Sequence, residues 1–106
     1  MTTIRSFLHD LPNKVAPEAI SDAKTLFHFD ISGDQGGLYT LEIDNGEIKI
    51  SEGLIGESKC TIKASDHVFS SLVNKETNPM TALMMGKLKV SNPGEIMKYI
   101  KILGLM

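Results

Sequence analysis

Residues Phe27–Gly53 read "FHFDISGDQGGLYTLEIDNGEIKISEG", and the apolar residues in this stretch recur every second position. Phe27, Phe29 and Ile31 alternate with His28 and Asp30. Tyr39, Leu41 and Ile43 alternate with Thr40 and Glu42, and Ile48 and Ile50 with Glu47, Lys49 and Ser51. In a strand successive side chains point to opposite faces, so each run carries one apolar and one polar face. Two turns separate the runs. "SGDQGG" (Ser32 to Gly37) is rich in glycine, which accepts positive φ. Asp44-Asn45-Gly46 is the strongest kind of short hairpin signal. From Thr25 onward the pattern predicts a three-stranded antiparallel meander with one face in and one face out.

On the C-terminal side, "EGLIGES" (Glu52 to Ser58) reads as a loop that takes the chain to the other edge of the sheet. There Cys60, Ile62 and Ala64 alternate with Lys59, Thr61, Lys63 and Ser65 as a fourth strand. Ser65 or Asp66 is expected to cap the next helix by accepting backbone N–H bonds. Val68, Phe69, Leu72 and Val73 form its apolar face. Asn78-Pro79 opens a second short helix on which Met80, Leu83 and Met84 share a face, and Gly86 ends it in the left-handed region. Leu88 and Val90 alternate with Lys87, Lys89 and Ser91 as a short fifth strand. A closing helix follows, with Asn92 as cap, Pro93 in the first turn and Glu95 placed as in a capping box. Its stripe is Ile96, Tyr99, Ile100 and Leu103, flanked by Met97.

On the N-terminal side, Ile4, Phe7, Leu8 and Leu11 make one helical face, which Pro12 is expected to stop. A second short helical piece begins at Pro17, with Glu18 at the positive end of the helix dipole. There is no repeat, linker or low-complexity segment. The expectation is one domain over residues 1–106, a length that supports one core and little more.

Composition excludes several classes. The chain is 42% hydrophobic and 23% charged, which argues against disorder. No apolar run approaches the ~18 residues of a membrane span. The net charge is −2, the lysines are scattered and Trp is absent, so no nucleic-acid partner is expected. Cys60 is the single cysteine, which rules out an intramolecular disulfide and a Cys-pair metal site. The first ten residues lack the apolar region of a secretory signal, and the final "GLM" does not match a peroxisomal Ser-Lys-Leu address. The expected location is the cytoplasm.

Three of the six methionines, Met80, Met84 and Met85, crowd onto one short helix, and Met97 joins them from the last. Methionine is unbranched and polarizable, and it lines surfaces that must fit several shapes. On composition alone these residues read as core filling. Two short helices split by a proline, however, cover a sheet less continuously than one long helix, which leaves room for an apolar cavity.

The same residues carry a resemblance. "CTIKASDHVFSSLVNKETNPMTALMMGKLKVSNPGEIMKYIKIL" (Cys60 to Leu103) resembles the C-terminal half of the sterol carrier protein type-2 family, and "FHFDISGDQGGLYTLEIDNGEIKISEG" resembles its first three strands. The resemblance implies an α+β fold: a five-stranded mixed, mostly antiparallel sheet covered on one face by short helices. It also implies an apolar tunnel between the layers, holding a fatty acyl chain, a sterol or a similar lipid, without catalysis and without a cofactor. Carried over by position, the lining residues would be Phe69, Leu72 and Val73 on the first short helix, Met80, Leu83 and Met84 on the second, and Met97 and Ile100 on the last. Longer relatives add a further C-terminal segment that helps to close the tunnel. The alternative reading is an accessory module that offers the same helical surface to a protein partner or a second copy.

Other chemistry fares less well. Asp30-x-Ser32-x-Asp34 superficially matches a calcium loop, but the sixth and twelfth positions hold Gln35 and Leu41 instead of Gly and Glu. "GDQGG" feeds a strand, not the helix N-terminus that a phosphate loop requires. Cys60 has the inward parity of its strand and reads as a small hydrophobe. His28 has the outward parity of its strand and is expected to face solvent. His9, His28 and His67 lie on separate elements, with no spacing for a metal. Lys87 and Lys89 read as an edge face that discourages strand pairing, and at most as a weak local attraction to a membrane surface.

Overall fold

A computed structural model describes residues 4–103. Helix α1 (Ile4–Lys14) and a 3-10 turn (Pro17–Ile20) precede strands β1 (Lys24–Ser32), β2 (Gly37–Asp44) and β3 (Glu47–Glu52). Strand β4 (Cys60–Ser65), helices α2 (Asp66–Val73) and α3 (Pro79–Met84), strand β5 (Lys89–Val90) and helix α4 (Pro93–Tyr99) follow. The sheet order is β3-β2-β1-β4-β5. Among the described residues the β1–β4 pair is parallel and the β1–β2, β2–β3 and β4–β5 pairs are antiparallel. This is the expected five-stranded mixed sheet.

The β2–β3 turn has Asn45 at φ 51 and Gly46 at φ 78, as a type I′ hairpin requires. The β1–β2 turn is held from a distance. Asp66 at the start of α2 accepts the Gln35 N–H at 3.0 Å, and this bond is the main reason its carboxyl lies below its ordinary range. Gly33 has φ 100, and a Cβ there would sit 2.5 Å from that carboxylate. Ser65 is the cap of α2, accepting from the Val68 N–H at 3.1 Å.

Inward residues of the strands and the helix stripes share one core, with Phe27, Phe29, Leu41, Ile43 and Cys60 fully buried. Burial pushes the Cys60 thiol up from its ordinary value. Phe69 stacks edge-on between Phe7 (5.3 Å) and Phe29 (6.2 Å), which joins α1, α2 and the sheet.

Three local expectations change. Pro12 does not end α1, which runs on to Lys14. Proline removes one bond near the helix end, while burial of Leu11 and Val15 and the Val15 N–H to Leu11 C=O bond (3.0 Å) hold the last turn. His28 does point outward, but the loop at 53–59 crosses that face of the sheet. The Nε2 of His28 donates to the Ile55 carbonyl at 2.9 Å, and Thr40 ties the same loop at Gly53 and Ile55. The capping box at α4 is only half made. Asn92 accepts from the Glu95 N–H at 3.3 Å, but the Glu95 carboxylate turns inward and accepts from Thr25 Oγ1 at 2.6 Å.

Candidate functional site

The segment from β4 to α4 builds the site. β4 pairs in parallel with β1 so that Ile62 lies beside Phe29, and β5 adds Val90 beside Ile62. Phe29, Ile62 and Val90 therefore form one apolar row across three strands. Phe69 and Leu72 of α2 rise from one side of it. Pro79, Met80 and Leu83 of α3 stand over it, and Pro93, Ile96, Met97 and Ile100 from the α4 segment close the far side, with Leu88 between. Among the described residues thirteen side chains line the crevice, and all are apolar.

Where the resemblance implies a tunnel, the structure has a narrow crevice. Its free interior is about 40 Å³, well short of the roughly 300–1,000 Å³ of a small-molecule pocket. Counted out to its open mouth the space reaches about 530 Å³. The smaller figure decides what fits without movement, because the larger one includes solvent.

Six of the eight residues singled out from the sequence meet here: Phe69, Leu72, Met80, Leu83, Met97 and Ile100. Val73 and Met84 do not. Val73, the last residue of α2, packs partly against the core elsewhere. Met84 is 85% exposed. Helix α3 turns Pro79 and Ala82 inward, so the stripe through Met80 and Met84 runs along the rim and out to solvent. The methionines are thus largely a rim, with Met80 38% and Met97 44% exposed. Besides Pro79, Pro93 and Ile96, sequence reasoning left out Phe29, Ile62, Val90 and Leu88. The inward parity of these last four was legible, but the strand register that aligns Phe29, Ile62 and Val90 was not.

The wall over the crevice is built from two short, separately capped helices. Helices α2 and α3 are joined by residues 74–78, and Lys75 lies in the left-handed region at φ 62. Two bonds, from Glu76 N–H to Ser71 and from Lys75 N–H to Leu72, close α2 in a Schellman turn. Gly86, at φ 77, does the same for α3 through the bonds Lys87 N–H to Ala82 and Gly86 N–H to Leu83. Helix α4 is pinned more firmly by Glu95. The Thr25 hydroxyl, with Lys98 at 3.4 Å, holds its carboxyl below its ordinary range despite its burial.

Known proteins share this architecture. The chain matches 96% of its length to sterol carrier protein 2 from Yarrowia lipolytica in its apo form, covering 88% of that chain at 24% identity with a TM-score of 0.70. It matches palmitated SCP2L2 from Aedes aegypti over 96% of this chain and 95% of that one, at 15% identity and a TM-score of 0.72. A stereoselective inverting sec-alkylsulfatase from Pseudomonas sp. superposes with a TM-score of 0.80 at 16% identity, over 99% of this chain but 16% of the sulfatase. In sequence, hydroxysteroid dehydrogenase-like protein 2 of Xenopus tropicalis is 29% identical over 94 residues, 87% of this chain and 22% of that protein. The chain therefore spans about a fifth of that relative and about a sixth of the sulfatase. Among the described residues no helix is long and apolar enough to cross a membrane. The sequence profile described as the SCP-2 sterol transfer family matches residues 4–105, and the chain belongs to that family.

Proposed function

We infer that the chain is a single lipid-binding domain that acts in the cytoplasm without catalysis, taking the apolar part of a fatty acyl chain, a sterol or a similar lipid between its sheet and helices α2 to α4. The observation that carries this reading is the wholly apolar lining of the crevice, beneath a short helix that buries only Pro79 and Ala82. Among the described residues the lining offers no acid, base or nucleophile. Each ligand CH₂ that leaves water contributes roughly 0.8 kcal/mol. A long acyl chain thus supplies enough to displace α3, less the cost of ordering ligand and protein. Uptake proceeds by widening the crevice, with Met80 and Met97 re-packing around the guest.

Native mass spectrometry with lipid extraction of the same sample tests this. Discrete added masses that extract as fatty acid, sterol or phospholipid are expected. Leu83→Glu, which puts a charge in the wall, should abolish uptake of a fluorescent acyl probe, whereas Lys49→Glu on exposed β3 should not. Equal uptake by the two variants overturns the assignment. One observation favours a second reading, an interaction module for a protein partner or a second copy: Met84 and Met85 are 85% and 63% exposed and lie outside the crevice. A concentration-dependent mass with no bound lipid would select it.

A further inference from the structure

We propose that the end of α3 and the β4–β5 edge form a docking surface for an anionic lipid bilayer. Two features meet at Gly86. The first is an apolar knuckle. Met84 and Met85 are the two most exposed large apolar side chains among the described residues. They project where the chain reverses, and the crevice does not use them. The second is a basic groove of about 300 Å³ that begins at Gly86 and is lined by Lys63, Lys87, Lys89, Asp30 and Ser32, with Ala64.

Three lysines and one aspartate line the groove. Lys63 and Lys89 are direct partners across the antiparallel β4–β5 pair, a placement in which like charges repel. Asp30 is the neighbour of Lys63 on β1. Among the described residues none of the three lysines is within ion-pair distance of a carboxylate. Leu88 is buried between exposed Lys87 and Lys89, so both lysines are turned away from the core. Lysines on a short edge strand do blunt edge pairing, but that role needs no adjoining exposed methionines and no second lysine opposite the first.

Charge complementarity selects the occupant. A soluble anion would satisfy the lysines and leave the methionines in water. An apolar protein face would cover the methionines and strand the lysines. An anionic bilayer supplies both, with charged headgroups for Lys63, Lys87 and Lys89 and the acyl boundary for Met84 and Met85. The chain's net charge of −2 makes this a local, oriented attraction.

Co-sedimentation of the whole chain with vesicles tests this, using phosphatidylcholine alone and phosphatidylcholine with about a quarter phosphatidylserine. Binding is expected only to the anionic vesicles and should weaken as salt screens the lysines. Each lysine near such a surface contributes about five-fold, so Lys87→Ala with Lys89→Ala should lower partitioning about 25-fold. Met84→Ser with Met85→Ser should also lower it, at unchanged charge. All four positions are exposed, and an unchanged thermal midpoint checks that the variants fold. The lysine variant should take up a fluorescent acyl probe like the parent, so loss of docking and failure of the lipid-binding reading are separate results. Equal binding to both vesicle types, or lysine variants that bind like the parent, would overturn the proposal. So would self-association that the methionine variant abolishes while no vesicle binding is seen, which would assign the knuckle to a second copy.

Discussion

Helices α1 and α3 cover the same face of one sheet and do so in opposite ways. α1 buries Ile4, Phe7, Leu8 and Leu11, none more than 3% exposed, and locks against α2 through the Phe7–Phe69 ring pair. α3 buries Pro79 and Ala82 and leaves Met80 and Met84 in or near solvent. Length explains part of the difference, eleven residues against six. Side-chain type explains the rest. Leu and Ile occupy few rotamers and fix a helix in place, whereas Met adapts to whatever surrounds it. One end of the sheet is sealed and the other is covered more loosely, and the apolar crevice lies under the looser cover.

The most forceful way to break this comparison is to shave each helix. Leu8→Ala should cost about 2–5 kcal/mol in urea denaturation, as for a fully buried leucine. Met84→Ala should change stability by less than about 0.5 kcal/mol. Similar losses at the two sites would mean that α3 is as much core as α1.

A second test concerns α4, the firmer side of the crevice. Thr25→Val removes the hydroxyl that Glu95 accepts from, and should cost about 1–3 kcal/mol at neutral pH. The sign with pH follows from the direction of the shift. The folded carboxyl of Glu95 lies below its ordinary value. Its stabilising contribution is therefore complete above the unfolded value of ~4.3 and is lost as pH falls through the lower folded one. The variant has less of this contribution to lose, so the gap between the two proteins should narrow in acid. Parallel denaturation profiles across that range would mean that Thr25 does not hold Glu95.

The smallest effect sharpens the account of the α2–α3 connection. Lys75 occupies the left-handed position of a Schellman turn, where glycine is favoured. Lys75→Gly should stabilise the fold by about 0.5 kcal/mol, the relief of a left-handed side chain less the added freedom of the unfolded chain. A loss of stability on chemical denaturation would show that the lysine side chain itself contributes at this turn.

Elements made by neighbours in sequence could be read from the sequence. Alternation set the inner and outer faces of β1 to β4, because side-chain direction in a strand depends only on parity. Asn45-Gly46, the Ser65 cap, and Asn92 and Gly86 at helix ends acted as expected, because each satisfies backbone groups within a few residues of itself. Phe69, Leu72, Met80, Leu83, Met97 and Ile100 could be singled out on that basis together with the family resemblance.

What needed the folded chain involved partners far apart. The parallel pairing of β4 with β1 sets Phe29, Ile62 and Val90 in one row, and no local signal fixes that register. Glu95 looked like a capping-box residue until Thr25, seventy positions away, offered its carboxylate a buried hydroxyl. Pro12 stayed helical because burial of Leu11 and Val15 outweighed one missing bond. Met84 left the crevice because the rotation of α3 is set by how closely Pro79 and Ala82 fit the core. Sequence determined periodicity, turns and caps, which depend on interactions within a turn or two. Register, helix rotation and the width of the crevice were decided by packing, which acts only once distant segments have met.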